Sequence, residues 1–281
     1  LGNGPREYLN INHVFKVTNS IIAIQDRMKD VVLYFDDKGT FLYQTKGLQY
    51  GCDIECIGCN RIAVDVRSVG GINNPKTEDY AFVVSDSLYQ KVYAVGTDTY
   101  SEKLNYGATK RLFRYNDIVY GIPNFENYVY QFDSEGVCVK YVLDIISDDV
   151  SDFRYSTREE LKQLEQRYPF FKGHFYEFDN YSCFVIKSAS FNAYILYNHQ
   201  TKDVYLLDSE YANPLITFFW NPYMVDAGNA FVTSSLPATL LSYKEQFYDG
   251  ASVEIRKDLD LLYNDMKVDD NPVLFFYHLK D

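Results

Sequence analysis

Apolar and polar positions alternate along this chain in short runs, and the runs come in pairs joined by turn residues. Five pairs share one pattern: an alternating run, a turn carrying Asn, Asp or Gly, then an apolar, β-branched run. They are HVFKVTNSIIAIQD (His13 to Asp26), DIECIGCNRIAVDVR (Asp53 to Arg67), RLFRYNDIVYGIPN (Arg111 to Asn124), HFYEFDNYSCFVIKS (His174 to Ser188) and ITFFWNPYMVDAGNAFVTSS (Ile216 to Ser235). Period-two alternation around such turns predicts β-hairpins rather than helices. A second hairpin follows most of them. VVLYFDDKGTFLYQ (Val31 to Gln44) and YVYQFDSEGVCVKY (Tyr128 to Tyr141) share Phe-Asp-x-x-Gly, in which Asp bonds nearby backbone and Gly accepts positive φ. YAFVVSDSLYQKVYAV (Tyr80 to Val95) and NAYILYNHQTKDVYLLD (Asn192 to Asp208) are related pairs.

Two hairpins per copy make four strands, and the repeat turns recur about 40 to 60 residues apart, the spacing of propeller blades. The expected fold is therefore an all-β propeller. Two stretches break the pattern with helical periodicity. Ser156 to Tyr168 opens on a Ser-x-x-Glu capping box and sets Leu161, Leu164 and Tyr168 on one face. Leu236 to Tyr248, with Pro237 near its start, and Val253 to Lys267 predict a helical pair before a last strand, Asn271 to Lys280. A repeat running from end to end of 281 residues predicts one domain, 1–281.

Composition supports a folded β protein: 27 Tyr and 20 Phe favour pleated, half-buried surfaces. Tyr176, Tyr181, Tyr194 and Tyr197 are expected to be half-buried with the hydroxyl outward, as core residues before a sugar-stacking platform. A net charge of −12 with no basic tract disfavours nucleic acid and anionic membrane surfaces as partners. No run of about 18 apolar residues predicts a membrane span. Five cysteines, Cys52, Cys56, Cys59, Cys138 and Cys183, are too sparse for a disulfide scaffold.

The segment Gly2-Asn3-Gly4-Pro5-Arg6-Glu7-Tyr8 is similar to the Gly-x-Gly-Pro-x-Glu-Tyr segment of a family of exported bacterial six-bladed β-propellers with NHL-like blades. The Phe-Asp-x-x-Gly turns and the terminal Asn271-Pro272-Val273-Leu274 strengthen the likeness. The resemblance implies six blades in the intact protein, five of them recognisable here, with most of a first blade lacking ahead of residue 2. It also implies an exported protein of the periplasm or cell surface, with a lipid anchor upstream, and it assigns no activity.

The sharpest chemical motif is Cys52-x3-Cys56-x2-Cys59, the spacing with which radical SAM enzymes hold a four-iron cluster. Those motifs sit in a loop of an α/β barrel. Here Cys56 falls on a repeat strand and Cys59-Asn60 on its turn, so structural cysteines are expected, with a hairpin disulfide as the alternative. No cofactor or metal is expected. Gly-x-Ser-x-Gly, His-Glu-x-x-His and phosphate-loop motifs are missing from the sequence. Asp148, Asp149 and Asp152 lack the pattern of a calcium loop. The four histidines, His13, His174, His199 and His278, read as strand-end or surface residues.

The remaining candidates come from blade geometry. The apolar strand after each repeat turn is expected to be innermost, so its far end opens onto a central funnel. Those ends carry Gln25 and Asp26, Asp65 and Arg67, Pro123 and Asn124, Lys187 and Ser188, and Ser234 and Ser235. Mixed carboxylate, guanidinium, ammonium and amide groups there suit a polar ligand such as a sugar or a peptide end. Asp65 with Arg67, or Asp26 with Lys187, would alternatively be plain ion pairs. The expectation is a noncatalytic exported binding or interaction module. A carbohydrate-active lyase or hydrolase using funnel carboxylates and Arg67 is the alternative, and a scaffold contacting envelope proteins is a third.

Overall fold

The computed structural model describes residues 4, 7–26, 28–46, 53–58, 61–65, 80–86, 91–97, 111–123, 127–144, 158–167, 170–187, 192–207, 224–226, 230–249 and 251–278. Their strands form five antiparallel sheets. The first contains β1 (His13–Thr18), β2 (Ile21–Asp26), β3 (Val31–Asp36) and β4 (Phe41–Lys46) in sequence order. The second contains β5 (Asp53–Cys56), β6 (Arg61–Asp65), β7 (Tyr80–Asp86) and β8 (Lys91–Thr97). The third contains β9 (Leu112–Tyr115), β10 (Ile118–Gly121), β11 (Tyr128–Phe132) and β12 (Val137–Val142). The fourth contains β13 (Phe170–Glu177), β14 (Tyr181–Lys187), β15 (Asn192–Asn198) and β16 (Val204–Leu207). The fifth has three strands, β17 (Met224–Asp226), β18 (Ala230–Ser235) and β19 (Val273–His278). Up-and-down four-stranded sheets repeated along a chain are propeller blades.

Turn chemistry fixes the hairpins locally. In the turn after β3, the Asp36 carboxylate accepts the amides of Lys38 (3.0 Å) and Thr40 (2.6 Å), and Gly39 takes φ +81°. The turn after β11 repeats this with Asp133, which accepts the amides of Glu135 (2.9 Å) and Gly136 (3.1 Å). The Thr40 amide above all holds the Asp36 carboxyl below the usual range, and the Gln131 side-chain amide does most for Asp133. The β9–β10 turn uses Asn116 at φ +53°, a conformation Asn tolerates better than most residues.

The chain divides into two compact units. The first holds the first three sheets and part of the fourth; the second holds Tyr176–Cys183 and everything from Ala193 on. Within the first unit β1 lies against β5, and β5 against β9, so the first strands of successive sheets adjoin. The last strands β4 and β12 are largely exposed. Between the sheets lie two apolar layers. One joins Phe15, Ala23 and Val32 to Ile54, Val64 and Val83, and the other joins Ala63, Phe82 and Val84 to Leu112, Val119 and Phe132.

The first-strand order corrects one expectation. The apolar strand after each repeat turn is second in its sheet, flanked on both sides, in sheets one to four.

Helix α1 (Arg158–Arg167) falls inside the predicted helical segment. The segment from residue 236 breaks at Tyr243 into α2 (Pro237–Ser242) and α3 (Lys244–Tyr248). Helix α4 (Val253–Tyr263) is capped by Ser252, whose hydroxyl accepts the Ile255 amide at 3.3 Å. It ends at Tyr263, four residues short of the prediction, though Met266 still packs on the cluster of Leu240, Phe247, Leu259 and Tyr263. The second unit also corrects the tyrosine reading. Tyr176, Tyr181 and Tyr194 are buried, not half-exposed, and burial pushes the phenols of Tyr176 and Tyr194 strongly up.

Candidate functional site

The site is built at the starts of the first strands of sheets one to three, where each repeat copy opens on an ionisable residue. His13 opens β1, Asp53 opens β5, and Arg111 directly precedes β9. Because these strands adjoin, their first side chains reach from sheet to sheet. His13 Nε2 lies 2.8 Å from the Ile54 carbonyl and 3.1 Å from Asp53 Oδ1. Both neighbours are acceptors, so Nε2 carries the hydrogen. Asp53 in turn accepts the Leu112 amide at 3.0 Å through Oδ2. One carboxylate thus joins three sheets.

Register sets the next layer. Asp53 faces Asp65 across β5 and β6, and His13 faces Gln25 across β1 and β2. Two carboxylates directly opposite would repel. Arg111 answers this: its guanidinium donates to both oxygens of Asp65, with Nε to Oδ2 at 3.0 Å, and its carbon sits 5.4 Å from the Phe82 ring centroid. Both residues are fully buried. Farther along β5, Glu55 lies 3.5 Å from Arg114 Nε, and Arg114 also donates to the Cys56 carbonyl. Cys56 itself is buried, which pushes its thiol up to about 11 and leaves it an inert core residue.

Several sequence candidates are placed differently from expectation. Asp65 is paired with Arg111, while Arg67, the partner considered for it, lies outside the described residues. Asp26 is buried and accepts the amides of Leu9 (2.6 Å) and Lys29 (3.1 Å). Burial acts to raise its carboxyl, but these amides and those of Asn10 and Met28 together hold it below the usual carboxylate value. Gln25 is buried, and among the described residues neither side-chain amide atom has a hydrogen-bond partner. Ser234 is exposed at the end of β18. Asn124 and Ser188 lie outside the described residues, as does the side chain of Lys187 at the end of β14. Cys52, Cys59, Asp148, Asp149 and Asp152 also lie outside them. Among the described residues, Cys56, Cys138 and Cys183 are thiols, and no group of three or more His, Cys, Asp or Glu could hold a metal ion.

His13, Asp53, Glu55, Arg111 and Arg114 belong to the network and were not among the sequence candidates. For His13, Asp53 and Arg111 the signal was the first position of the repeat copies, which reads His, Asp, Arg and His at 13, 53, 111 and 174.

A second polar cluster lies in the second unit. The Ser182 hydroxyl is 2.6 Å from Glu177 Oε2 and 2.7 Å from His199 Nε2, while His199 Nδ1 is 3.1 Å from the Asp179 carbonyl. The trio resembles a hydrolytic triad in composition only. Ser182 is fully buried, out of reach of a substrate, and its hydroxyl binds the acid as well as the base.

Four-stranded antiparallel sheets in sequence order, repeated along the chain, are those of a β-propeller. The chain belongs to the DUF5128 family, described as a 6-bladed beta-propeller, whose model matches residues 1–234. Among solved structures it is similar to a protein of Bacteroides fragilis NCTC 9343 named as a candidate exported protein, at 17% identity and TM-score 0.74, covering 100% of this chain and 80% of that one. A member of the duf4221 family from Bacteroides vulgatus aligns at 8% identity and TM-score 0.46 over 73% of this chain and 69% of that one, a level that carries no structural argument. No curated protein matches. Among the described residues no helix is long and apolar enough to cross a membrane.

Proposed function

We propose that this propeller is a noncatalytic exported module that binds a polar ligand, a carbohydrate or a peptide end, through its first unit, with Arg67, Asn124, Lys187 and Ser188 as the residues that would contact it. The observation that carries the noncatalytic reading is the commitment of the buried carboxylates of the first unit. Asp65 is held by Arg111, Asp53 by His13 and the Leu112 amide, Glu55 by Arg114, and Asp26 by backbone amides. A general acid needs a carboxyl kept protonated near neutral pH, and cations and N–H donors act the other way. This weighs against a lyase or hydrolase built on these carboxylates. Export is supported by the name of the Bacteroides fragilis structure.

A scaffold role has its own support in exposed apolar residues on last strands, namely Leu42 and Tyr43 on β4, Val139 and Val142 on β12, and Val204 and Leu206 on β16. A thermal-shift screen against glycans, peptides and divalent metals separates the readings, repeated with Arg67→Ala and Lys187→Ala. A stabilising compound whose effect disappears in both variants is the expected result. Turnover of that compound would overturn the noncatalytic reading, and silence across the panel would favour the scaffold.

A further inference from the structure

The cluster of Glu177, Ser182 and His199 contains three hydrogen bonds, and each needs its own hydrogen. Ser182 to Glu177, Ser182 to His199 Nε2, and His199 Nδ1 to the Asp179 carbonyl measure 2.6, 2.7 and 3.1 Å. The Asp179 carbonyl is only an acceptor, so Nδ1 carries a hydrogen. The serine hydroxyl supplies one more. A neutral imidazole has spent its single hydrogen on Nδ1, and an ionised carboxylate has none. The third hydrogen must be an additional proton, carried either on His199 Nε2 beside an ionised Glu177 or on Glu177 beside a neutral ring.

We propose that the Glu177–Ser182–His199 cluster is a proton-dependent clasp between the β13–β14 and β15–β16 hairpin tips, taking up one proton from solvent as it closes. The same tips are joined by the His199 amide, which donates to the Asn180 carbonyl at 2.8 Å, and by the Gln200 side chain, 3.3 Å from Asn180 Oδ1. Glu177 and Ser182 are buried, whereas His199 keeps 24% of its side chain exposed and so exchanges its proton with water. His199 Nε2 also lies 3.7 Å from Glu177 Oε1, and among the described residues of these tips the other titratable and charged groups are Asp179 in the first turn, Tyr197, whose ring lies 5.9 Å from the imidazole, and Lys202 and Asp203 in the second turn. Lys202 lies over the Tyr197 ring at 5.7 Å. With the proton present all three bonds form. Without it one must break, so the clasp is closed at lower pH and loosens as pH rises through the cluster's titration.

The full chain labelled with 15N-histidine and 13C-carboxyl glutamate tests this by NMR. The expected spectrum of the closed state shows His199 protonated on both nitrogens, or Glu177 protonated. A neutral imidazole beside an ionised Glu177 in that state would overturn the proposal. Amide hydrogen exchange gives an independent reading. The protection factor of the His199 amide should fall about tenfold as the cluster deprotonates, the scale of one lost hydrogen bond. In Glu177→Gln the amide NH2 supplies the missing hydrogen without a proton, so protection should persist and become flat with pH. The same pH profile in the wild type and Glu177→Gln would also overturn the clasp. If Glu177→Gln does not fold, the wild-type spectrum decides alone.

Discussion

A carboxylate without contact with water stays ionised only when its partners replace the solvation it has lost, and Asp65 has one such partner in Arg111, itself fully buried. Each member therefore depends on the other far more than the fold depends on the pair. Asp65→Leu or Arg111→Met alone is expected to cost about 3 to 5 kcal/mol by leaving an uncompensated buried charge. The double variant should recover most of that loss, and urea unfolding of the four proteins in the cycle measures it. An additive double variant would show the two side chains to be energetically independent. Little of this was legible beforehand. Asp65 was visible as a strand-end acid, but the Arg111 guanidinium that it binds comes from 46 residues away. Sequence neighbours suggest a local pair; only strand order brings β9 to β6.

Elements were easier to read than residues because hairpins are specified within a dozen positions. Phe-Asp-x-x-Gly supplies its own turn: Asp36 and Asp133 bond amides two to four residues on, and this holds wherever the hairpin sits. The helical segment from Val253 is shorter than its pattern predicts for an equally local reason: apolar spacing continues to Met266, but the backbone hydrogen-bonded as helix stops at Tyr263. Gly121 on β10 shows where packing rather than turn chemistry selects a residue. A Cβ there would lie 2.7 Å from Phe132 Cε2 and 3.1 Å from Phe82 Cε2, two rings packed edge to face at 5.8 Å. Gly121→Ala is expected to force those rings apart and cost about 1 to 3 kcal/mol, read from the denaturation midpoint. An unchanged midpoint would mean that the two sheets yield more easily than a packed core should.

At the scale of the whole molecule, the family match ends at residue 234, one residue before the end of β18, yet β18 pairs with β19, Val273–His278. Helices α2 to α4 fill the sequence between and form their own apolar cluster with Val273 and Phe275. A chain cut after Ser235 should therefore lose protection in β18, whose Ala230, Phe231 and Val232 are buried. Hydrogen exchange of the truncated and full chains compares this directly, and equal protection would show that the fifth sheet stands without its last strand. The sequence by itself determined the strands, their turns and the four-strand repeat, because alternation and Asn, Asp and Gly chemistry act over a few residues. It determined the deficit of positive charge in the same way, since net charge is a sum and needs no geometry. Only the tertiary structure decided which strand of each sheet adjoins its neighbour and which charges are spent. His13 meets Asp53, and Asp65 meets Arg111, across sheets separated by 40 residues or more. Those partners are fixed by the packing of whole sheets, a long-range property that no short window of residues contains.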